Sequence, residues 1–316
     1  MGYITVSKSK NIGVKKALRK RSLSYFIMMM PGLIYLLINN YIPMAGLSFA
    51  FKDLDFSVGL WKSEFVGFKN FKYLFSTNDA WIITRNTILY NLVFIVLGTI
   101  FAICVAILLN EISSKKMKKV YQTTILLPSL ISIIVVSYLV FALLSVDNGF
   151  INNSFLKLLG KEGIMWYASP KYWPIIIIIV NLWKGFGMSC IIYYATVVSI
   201  DGSYFEAAAI DGAGKWKQIT YITLPELKQT AVTMILLSIG RIFYSDFGLF
   251  YQVPMNSGPL IDVTNTIDTY VYRGMTILND MSMASAAGFY QSIVGFVLVL
   301  IANKIVDKFS EAESMF

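Results

Sequence analysis

The sequence predicts an all-α membrane protein with about six transmembrane helices. Of its 316 residues, 56% are hydrophobic and only 14% are charged, and the mean hydropathy is +0.63. Soluble domains average roughly 45–50% apolar and 25% charged residues. Apolar stretches of roughly 20 residues, enough to cross about 30 Å of hydrocarbon, recur along the chain. A soluble fold could not bury this much apolar surface, so lipid must solvate part of it.

The apolar stretches divide the chain into spans and connections. The predicted spans lie at about 24–50, 87–110, 121–145, 173–199, 229–252 and 284–306. They form one transmembrane domain at 24–306, between a basic tail at 1–23 and a short tail at 307–316. The longest connections include residues 200–228, whose sequence is too apolar for a loop that is only solvated.

The distribution of Lys and Arg predicts the orientation. With the N-terminus in the cytoplasm, the inner segments hold 16 Lys and Arg and the outer segments hold nine. Cytoplasmic loops carry the excess of these residues in membrane proteins. Both tails and the loop 200–228 are therefore expected on the cytoplasmic side of a bacterial cytoplasmic membrane. The net charge of +9 arises largely from a basic block before the first span, which is expected to contact anionic membrane lipid and not nucleic acid.

Several classes of catalytic and metal site are excluded by composition. The chain has no histidine, which removes Ser-His hydrolases and HExxH metalloproteases. Its two cysteines, Cys104 and Cys190, each lie inside an apolar stretch and suggest neither a disulfide framework nor a metal site. A GxxxxGK[ST] phosphate-binding loop is also missing from the sequence, so we expect no catalytic residues and no cofactor in this chain.

The loop 200–228 has the local signals of a helix, a turn and a second helix. Ser203 and Glu206 have the spacing of a capping box at a helix start. Gly212 and Gly214 are predicted to end that helix and to allow a sharp turn, with a positive φ at Gly212. Pro225 is predicted to end the unit before the next span.

These residues resemble the EAA loop of bacterial ABC importer permeases. The matching positions are Glu206, Ala207, Ala208, Asp211, Gly212, Leu224 and Pro225, without a gap in the spacing. The resemblance implies the type I importer permease fold and a loop that inserts into a cleft on a cytoplasmic ATPase subunit. It implies that Glu206 meets a basic group of the ATPase and that Gly212 permits the turn. The alternative is an ordinary amphipathic loop in which Glu206 only caps its helix.

Softer likenesses extend over nearly the whole chain from about residue 24. Segments 65–75, 181–187 and 241–251 resemble the sugar-transporting branch related to maltose and oligosaccharide permeases. The resemblance implies import of a sugar, with a second homologous permease, two copies of an ATPase that uses ATP and Mg, and an extracellular solute-binding protein. Unlike the longer maltose-type partner, this sequence has only the basic tail before its first span, so that relative's substrate site cannot be transferred wholesale.

Charged and aromatic residues within the predicted spans are candidates for a substrate path. An ion at the bilayer centre costs at least about 2.5–3.5 kcal/mol on insertion scales, so these ions should face the protein interior or a watery cavity. The candidates are Arg241, Tyr244, Asp246, Trp183, Lys184 and Tyr251. The competing interpretation is structural pairing between helices for Arg241 and Asp246, with Lys184 extending outward to the interface.

Three other functions compete with a sugar importer. An ion-gradient-driven secondary transporter should carry internal repeats and mid-membrane acids, and Asp246 alone fits. An ABC importer of a non-sugar solute would keep the same loop. An intramembrane enzyme without histidine would need a Ser-Lys or Asp pair, and the sequence presents no convincing one.

Overall fold

The computed structural model describes the backbone of residues 9–309 and the side chains of residues 23–304. The helices are α1 (Ser9–Leu36), α2 (Ile42–Met44), α3 (Lys69–Ser76), α4 (Asp79–Glu111), α5 (Lys115–Leu130), α6 (Ile133–Leu144), α7 (Trp173–Ser199), α8 (Gly202–Ile210), α9 (Lys215–Gln218), α10 (Leu224–Ile239), α11 (Ile261–Thr264), α12 (Ile267–Thr276) and α13 (Met281–Phe309). Strands β1 (Lys52–Asp53) and β2 (Glu64–Phe65) pair antiparallel. Residues 1–22 of the predicted N-terminal tail and all of the tail at 307–316 lie outside the residues whose side chains are described.

Short π and 3₁₀ turns join or extend several helices. The π turns are Leu37–Tyr41, Ile151–Leu156, Ile219–Thr223 and Gly248–Gln252, and the 3₁₀ turns are Ala45–Phe51, Trp166–Ala168, Pro170–Tyr172 and Gly258–Leu260. The first π turn and the first 3₁₀ turn carry the helical path that begins in α1 onward to Phe51.

The all-α membrane fold is confirmed, and most predicted spans coincide with one long apolar helix. The stretches Leu23–Phe51, Asp79–Glu111, Pro170–Ser199 and Met281–Lys304 are each long and apolar enough to cross a membrane. A fifth crossing is possible through α5 and α6, which meet at a 94° bend. The predicted continuous span at 121–145 is therefore a bent pair of helices, broken at Ile131 and Ser132.

The predicted span at 229–252 is also not one helix. Helix α10 ends at Ile239, the chain is unwound over residues 240–246, and a π turn follows at Gly248–Gln252. Hydropathy alone predicts a continuous helix here. It carries no information about side chains of other helices, whose hydrogen bonds can replace those within the helix.

The core is built around α4, which contributes to three buried clusters. Its outer part, with Tyr90, packs with Trp173 and Phe250. Ile83 packs with residues of α3, α12 and α13, while Ala106 packs with α7 and α10. Helix α7 runs beside α4, and α5 crosses α7 closely at Gly187, where a Cβ would lie 2.2 Å from the Ile125 carbonyl oxygen. A glycine is required at that crossing because any side chain would collide with backbone.

The first span is peripheral. None of its most apolar window is buried in this chain, whereas the windows of the other three long spans are 17–22% buried. Its attachment lies at its end, where the turn Ala45–Phe51 packs against α13 and Phe51 meets the rings of Phe65, Phe68, Phe71 and Phe289. The rest of this helix presents its apolar side chains to its surroundings.

Candidate coupling loop and intramembrane cavity

Helix α8 begins with a cap that differs from the predicted one. Asp201 is the N-cap residue, and its Oδ1 accepts a hydrogen bond of 2.9 Å from the Ser203 backbone N–H. The pKa of Asp201 is held below its usual range mainly by the hydrogen bond from the Ser203 backbone N–H, and to a smaller extent by one from the Ser203 side chain. The predicted capping box of Ser203 and Glu206 is therefore wrong, because the Asp201 carboxylate starts the helix earlier and leaves Glu206 with no capping role.

The turn after α8 is a Schellman motif centred on Gly212. The Ala213 N–H donates to the Ala208 carbonyl at 2.8 Å, and the Gly212 N–H donates to the Ala209 carbonyl at 3.1 Å. Gly212 has a φ of +74°, as predicted, which only glycine adopts without strain. Gly214 has a φ of −67° and serves as the N-cap of α9, so only the first of the two glycines needs the left-handed region.

The exposed face of this loop is largely apolar and carries the carboxylates of Glu206 and Asp211, which are both unpaired among the residues with described side chains. Glu206 is exposed, and its carboxylate makes no hydrogen bond or ion pair with any residue whose side chain is described. Its matching neighbours Ala207, Asp211, Gly212, Leu224 and Pro225 are exposed, and Ala208 is half-buried. Large exposed side chains surround them, among which Ile210 is 86% and Trp216 is 80% accessible. A surface of this kind on a loop is typical of a site that a partner covers.

The loop is fastened to the membrane helices by polar contacts. Lys215 Nζ lies 2.9 Å from Glu111 Oε2 at the end of α4. The hydroxyls of Thr196 in α7 and Thr230 in α10 lie 3.0 Å apart, and Gln218 is buried with its amide donating to the Ala213 carbonyl. Among the described side chains, the ion pair with Glu111 is thus the polar contact that joins this loop to another membrane helix, while the other two bonds hold its flanking helices together and close the loop on itself.

The second half of the loop runs without interruption into the next membrane helix. Helix α9, the π turn Ile219–Thr223 and α10 form one helical run from Lys215 to Ile239. Pro225 was predicted to end the loop, but it sits in the first turn of α10, directly after the π turn. The wider π turn changes the hydrogen-bond pattern where proline lacks an N–H, so the helix continues.

At the other end of this helical run, side-chain amides bond the carbonyls that unwinding leaves free. The Asn91 amide of α4 donates to the carbonyls of Ile242 and Tyr244 at 2.9 and 3.0 Å. The Gln291 amide of α13 donates to the Phe243 carbonyl at 2.8 Å. Non-helical backbone at membrane depth is stable only when such partners replace the helical hydrogen bonds.

An acid on α12 holds the same segment from the other side. Asp268 Oδ2 accepts hydrogen bonds of 2.7 Å from both the backbone N–H and the hydroxyl of Ser245. Its Oδ1 accepts from the Gln291 amide at 3.2 Å. The unwound segment is therefore fixed by α4, α12 and α13 at once.

The unwound segment lines a cavity of about 470 Å³. Arg241, Tyr244 and Asp246 from the predicted substrate path lie together in its wall, alongside Asn91, Phe94, Ile95, Asn181, Ser238 and Ser245. A second cavity of about 230 Å³ shares Asn181 and Asp246 with the first and contains Lys184. The volumes fall near the range for small-molecule sites.

The charged residues of the two cavities are not paired with one another. Ion pairs among the residues with described side chains are Lys69–Asp53 and Lys215–Glu111, so Arg241 and Asp246 form none there. Asp246 Oδ1 accepts from the Leu249 N–H at 3.1 Å. Among the described side chains, Arg241 and Asp246 are therefore not paired between helices, and that competing interpretation is not supported.

Lys184 has a structural contact that sequence reasoning did not anticipate. Its Nζ donates to the carbonyls of Ile131 at 2.7 Å and Ser129 at 3.3 Å. These carbonyls belong to the bend between α5 and α6, so the ammonium stabilises that bend. The alternative of a lysine extending outward to the interface is wrong.

The two remaining aromatic candidates lie apart from this group. Trp183 and Tyr251 do not line either cavity. Tyr251 stacks on Phe247 and contacts Tyr272, with the Arg273 guanidinium 5.8 Å from its ring centre. Among the residues with described side chains, no group of three Cys, Asp or Glu side chains could hold a metal ion.

Residues 95–310 match the sequence family of the binding-protein-dependent transport system inner membrane component. The chain belongs to this family. The match includes the loop and the cavity segment. It places the chain as the membrane subunit of a transport system, as the EAA-like residues indicated.

Individual relatives cover nearly the whole permease. It is 32% identical over 292 residues to the protein LplB of Bacillus subtilis (strain 168), which is 92% of this chain and 91% of LplB. It is 33% identical over 304 residues to the polygalacturonan/rhamnogalacturonan transport system permease protein YteP of the same organism, covering 94% of each. A solved bacterial ABC transporter involved in the import of the acidic polysaccharide alginate contains a similar chain, with a TM-score of 0.84 and 31% identity. The alignment covers 92% of this permease and 98% of that chain.

Sequence reasoning found the ions of the permease cavity but missed the residues that hold its wall. Asn91, Gln291 and Asp268 were not predicted as functional, although each is a polar residue in or beside an apolar stretch. Amides inside a span are a usable signal, because each must find a partner in the protein.

Proposed function

We propose that this permease forms the transmembrane path of an ATP-driven importer of a sugar, released from a polysaccharide or taken up as an oligosaccharide. The observation that carries the proposal is the loop α8–α9, with its free Glu206 and its left-handed turn at Gly212. The relatives support the sugar, since their names include lactose, polygalacturonan and alginate transport.

The proposed complex contains this chain, a second homologous permease, two copies of an ATPase and an extracellular solute-binding protein. ATP and Mg act in the ATPase subunits, and this chain contributes no catalytic residue. A solved alginate ABC transporter is in complex with an alginate pentasaccharide-bound periplasmic protein, with a TM-score of 0.83 and 31% identity to this chain, which supports the external partner.

In the proposed mechanism, the ATPase covers the exposed apolar face of the loop and a basic group of the ATPase pairs with Glu206. Movement of the loop then reaches the membrane through the helical run from Lys215 to Ile239. That run ends beside the cavity of Arg241, Tyr244 and Asp246, which forms part of the sugar path. Closure of the ATPases is thereby coupled to opening of the cavity to one side or the other.

Co-purification of the assembled complex tests this proposal. Glu206→Lys reverses the charge offered to the ATPase and is expected to weaken ATPase retention about tenfold or more, since truncating one partner of a charged contact typically costs 2–5 kcal/mol. Glu206→Gln keeps size and helix propensity while removing the charge, so an intermediate loss is expected. Neither change disturbs the cap, which Asp201 supplies.

The competing functions predict other outcomes. Uptake by the purified chain alone in ATP-free vesicles would mean a secondary transporter and would contradict the proposal. Retention of the ATPase by both Glu206 variants at the level of the unchanged chain would remove the coupling role of the loop. ATP-dependent uptake of a solute other than a sugar would support the importer function but contradict the proposed sugar substrate.

Orientation is tested separately, because the loop can meet an ATPase only if it is cytoplasmic. Cysteines introduced at Leu158, which is 85% exposed, and at Trp216, which is 80% exposed, are the matched pair. The exposed native Cys104 is first changed to serine. A membrane-impermeant thiol reagent should label the Leu158→Cys chain in intact cells and the Trp216→Cys chain only after permeabilisation. The reverse pattern would place the loop outside.

A further inference from the structure

The wall of the larger cavity contains a cation that nothing in the described chain neutralises. Arg241 is exposed to the cavity, and its guanidinium forms no hydrogen bond or ion pair with any residue whose side chain is described. Arg241 lies two residues beyond the end of α10, which is about 24 Å long at about 1.5 Å per residue, so its guanidinium belongs to the cavity end of the helical run and not to the loop. A guanidinium there retains its charge and strongly favours an anionic partner.

The other two ions of the cavities are already committed. The Lys184 ammonium donates to two backbone carbonyls at the bend between α5 and α6. Asp246 accepts the Leu249 N–H and holds the π turn that follows it. Arg241 is therefore the cavity cation within residues 23–304 that remains available to a ligand.

The rest of the lining suits a hydroxyl-rich ligand. Asn181 and Tyr244 contribute an amide and a hydroxyl that form no hydrogen bond with residues whose side chains are described. Asn91, Ser238 and Ser245 already donate to protein oxygens and can offer the ligand only their own oxygens as acceptors. Tyr244 is 45% exposed and adds an aromatic face against which a sugar ring can lie. Phe94 and Ile95 supply the apolar part of the wall.

We propose that Arg241 binds the carboxylate of an acidic sugar, so that the solute is an oligosaccharide containing uronic acid. This inference rests on the proposed sugar import. The planar guanidinium forms two parallel hydrogen bonds to a carboxylate, which gives orientation as well as attraction. A monoanion suits the site better than a phosphate dianion, because the Asp246 carboxylate in the same wall opposes further negative charge.

The test measures protection of the cavity in the assembled complex. The reporter is Ser238→Cys, at an exposed position in the cavity wall, in a chain whose Cys104 has been replaced by serine. The probes are trigalacturonate and its full methyl ester, which has the same length and shape but no charge. The measurement is the rate at which a small thiol reagent modifies the reporter in the presence of each probe.

We expect trigalacturonate to protect at about tenfold lower concentration than its methyl ester, the size of effect for one charge-assisted contact. Arg241→Gln should abolish this difference. Arg241→Lys should retain part of it, since lysine keeps the charge but loses the two-point geometry. Asp246→Asn keeps an oxygen for the Leu249 N–H and removes the repulsion, so the preference for the acid should persist or grow.

Four results would overturn the inference. They are equal protection by the acid and the ester, no protection by either, stronger protection by galactose 6-phosphate, and loss of the preference in Asp246→Asn as complete as in Arg241→Gln. The last would mean that the preference depends on the shape of the cavity wall that Asp246 holds and not on the charge of Arg241. If the complex instead hydrolyses ATP in response to a neutral sugar alone, the importer remains and only the acidic substrate is lost. Failure of the complex to assemble would remove the proposed function itself.

Discussion

The proposed coupling loop, residues 200–228, and the cavity beside Arg241 lie at the two ends of one helical run, and opposite kinds of contact hold them. In the loop, the turn is closed by hydrogen bonds between residues three to five positions apart, such as Ala213 to Ala208. At the cavity, the Asn91 amide reaches carbonyls 151 and 153 residues away. The loop can therefore form its shape locally and remain exposed, whereas the cavity wall exists only when α4, α12 and α13 are assembled around it.

The largest expected effect follows from removing a long-range contact at the cavity. Asn91→Leu leaves the carbonyls of Ile242 and Tyr244 without their amide donor. The contact with Ile242 is part-buried and costs about 1–3 kcal/mol when it is left unsatisfied, while the contact with Tyr244 is exposed and adds less, so we expect a loss of about 2–4 kcal/mol in the free energy of unfolding. The measurement is thermal unfolding of the purified chain in detergent.

The matched control is Asn181→Leu. Asn181 lines both cavities, but its side-chain amide makes no hydrogen bond with any residue whose side chain is described. The Asn181→Leu change should therefore leave the unfolding temperature nearly unchanged. Equal shifts for the two variants would mean that the amide at Asn91 does not hold the unwound segment, and the contrast between local loop and assembled cavity would fail.

A smaller effect on stability, but a full effect on coupling, is expected at Gly212. Gly212→Val places a β-branched residue at a φ of +74°, which costs on the order of 1–3 kcal/mol of local strain. The chain should still insert and fold, while ATP hydrolysis stimulated by substrate should fall in the assembled complex.

Gly214→Val separates strain from bulk. Gly214 has a φ of −67°, and like Gly212 it has nothing within 4 Å of an added Cβ. It should therefore be tolerated. If the two variants behave alike, the loop depends on small size at its partner surface and not on its left-handed turn.

A pH-dependent effect is expected at the helix start. The folded pKa of Asp201 lies below its ordinary value of 3.8, so its stabilising effect is complete above about pH 4. It is lost as the pH falls through the folded pKa, because protonation removes the charged acceptor of the Ser203 N–H. Proteolysis of the loop should then accelerate below about pH 4 in the unchanged chain. Asp201→Asn, which keeps an oxygen acceptor but does not titrate, should lack this acid-dependent step.

The smallest effect is expected at the ion pair between Lys215 and Glu111. The two side chains are 70% and 40% exposed, and such pairs contribute about 0–1 kcal/mol. Glu111→Gln should change the unfolding temperature little at low salt and not at all at high salt, as screening predicts. A large shift would mean that the loop needs its anchor on α4 to keep its shape.

The same contrast explains what the sequence could predict. The turn at Gly212 was predictable because glycine alone favours its φ, and the EAA-like spacing placed it in the chain. The helix start was misplaced because Asp201 and Ser203 both favour the cap position, and only the structure decides between them. The break after Ile239 was not predictable, since the segment is apolar enough to continue as a helix.

The ions of the cavity show the limit in another way. Hydropathy identified Arg241, Asp246 and Lys184 as costly residues that need an explanation. It could not distinguish the lysine that binds carbonyls at a bend from the arginine that faces open space. That distinction depends on where α5 and α6 separate, which is set by packing across the bundle.

The π turn at Ile219–Thr223 has a mechanical consequence. Because the helix passes through Pro225 without a break, the run from Lys215 to Ile239 acts as a lever arm of about 37 Å, at about 1.5 Å per residue. A tilt of about 5° at its loop end would displace its far end by about 3 Å, roughly the length of one hydrogen bond. That is enough to make or break the contacts of Asn91 and Asp268 with the unwound segment. A rotation too small to disturb the lipid around the helix can thus change the shape of the cavity.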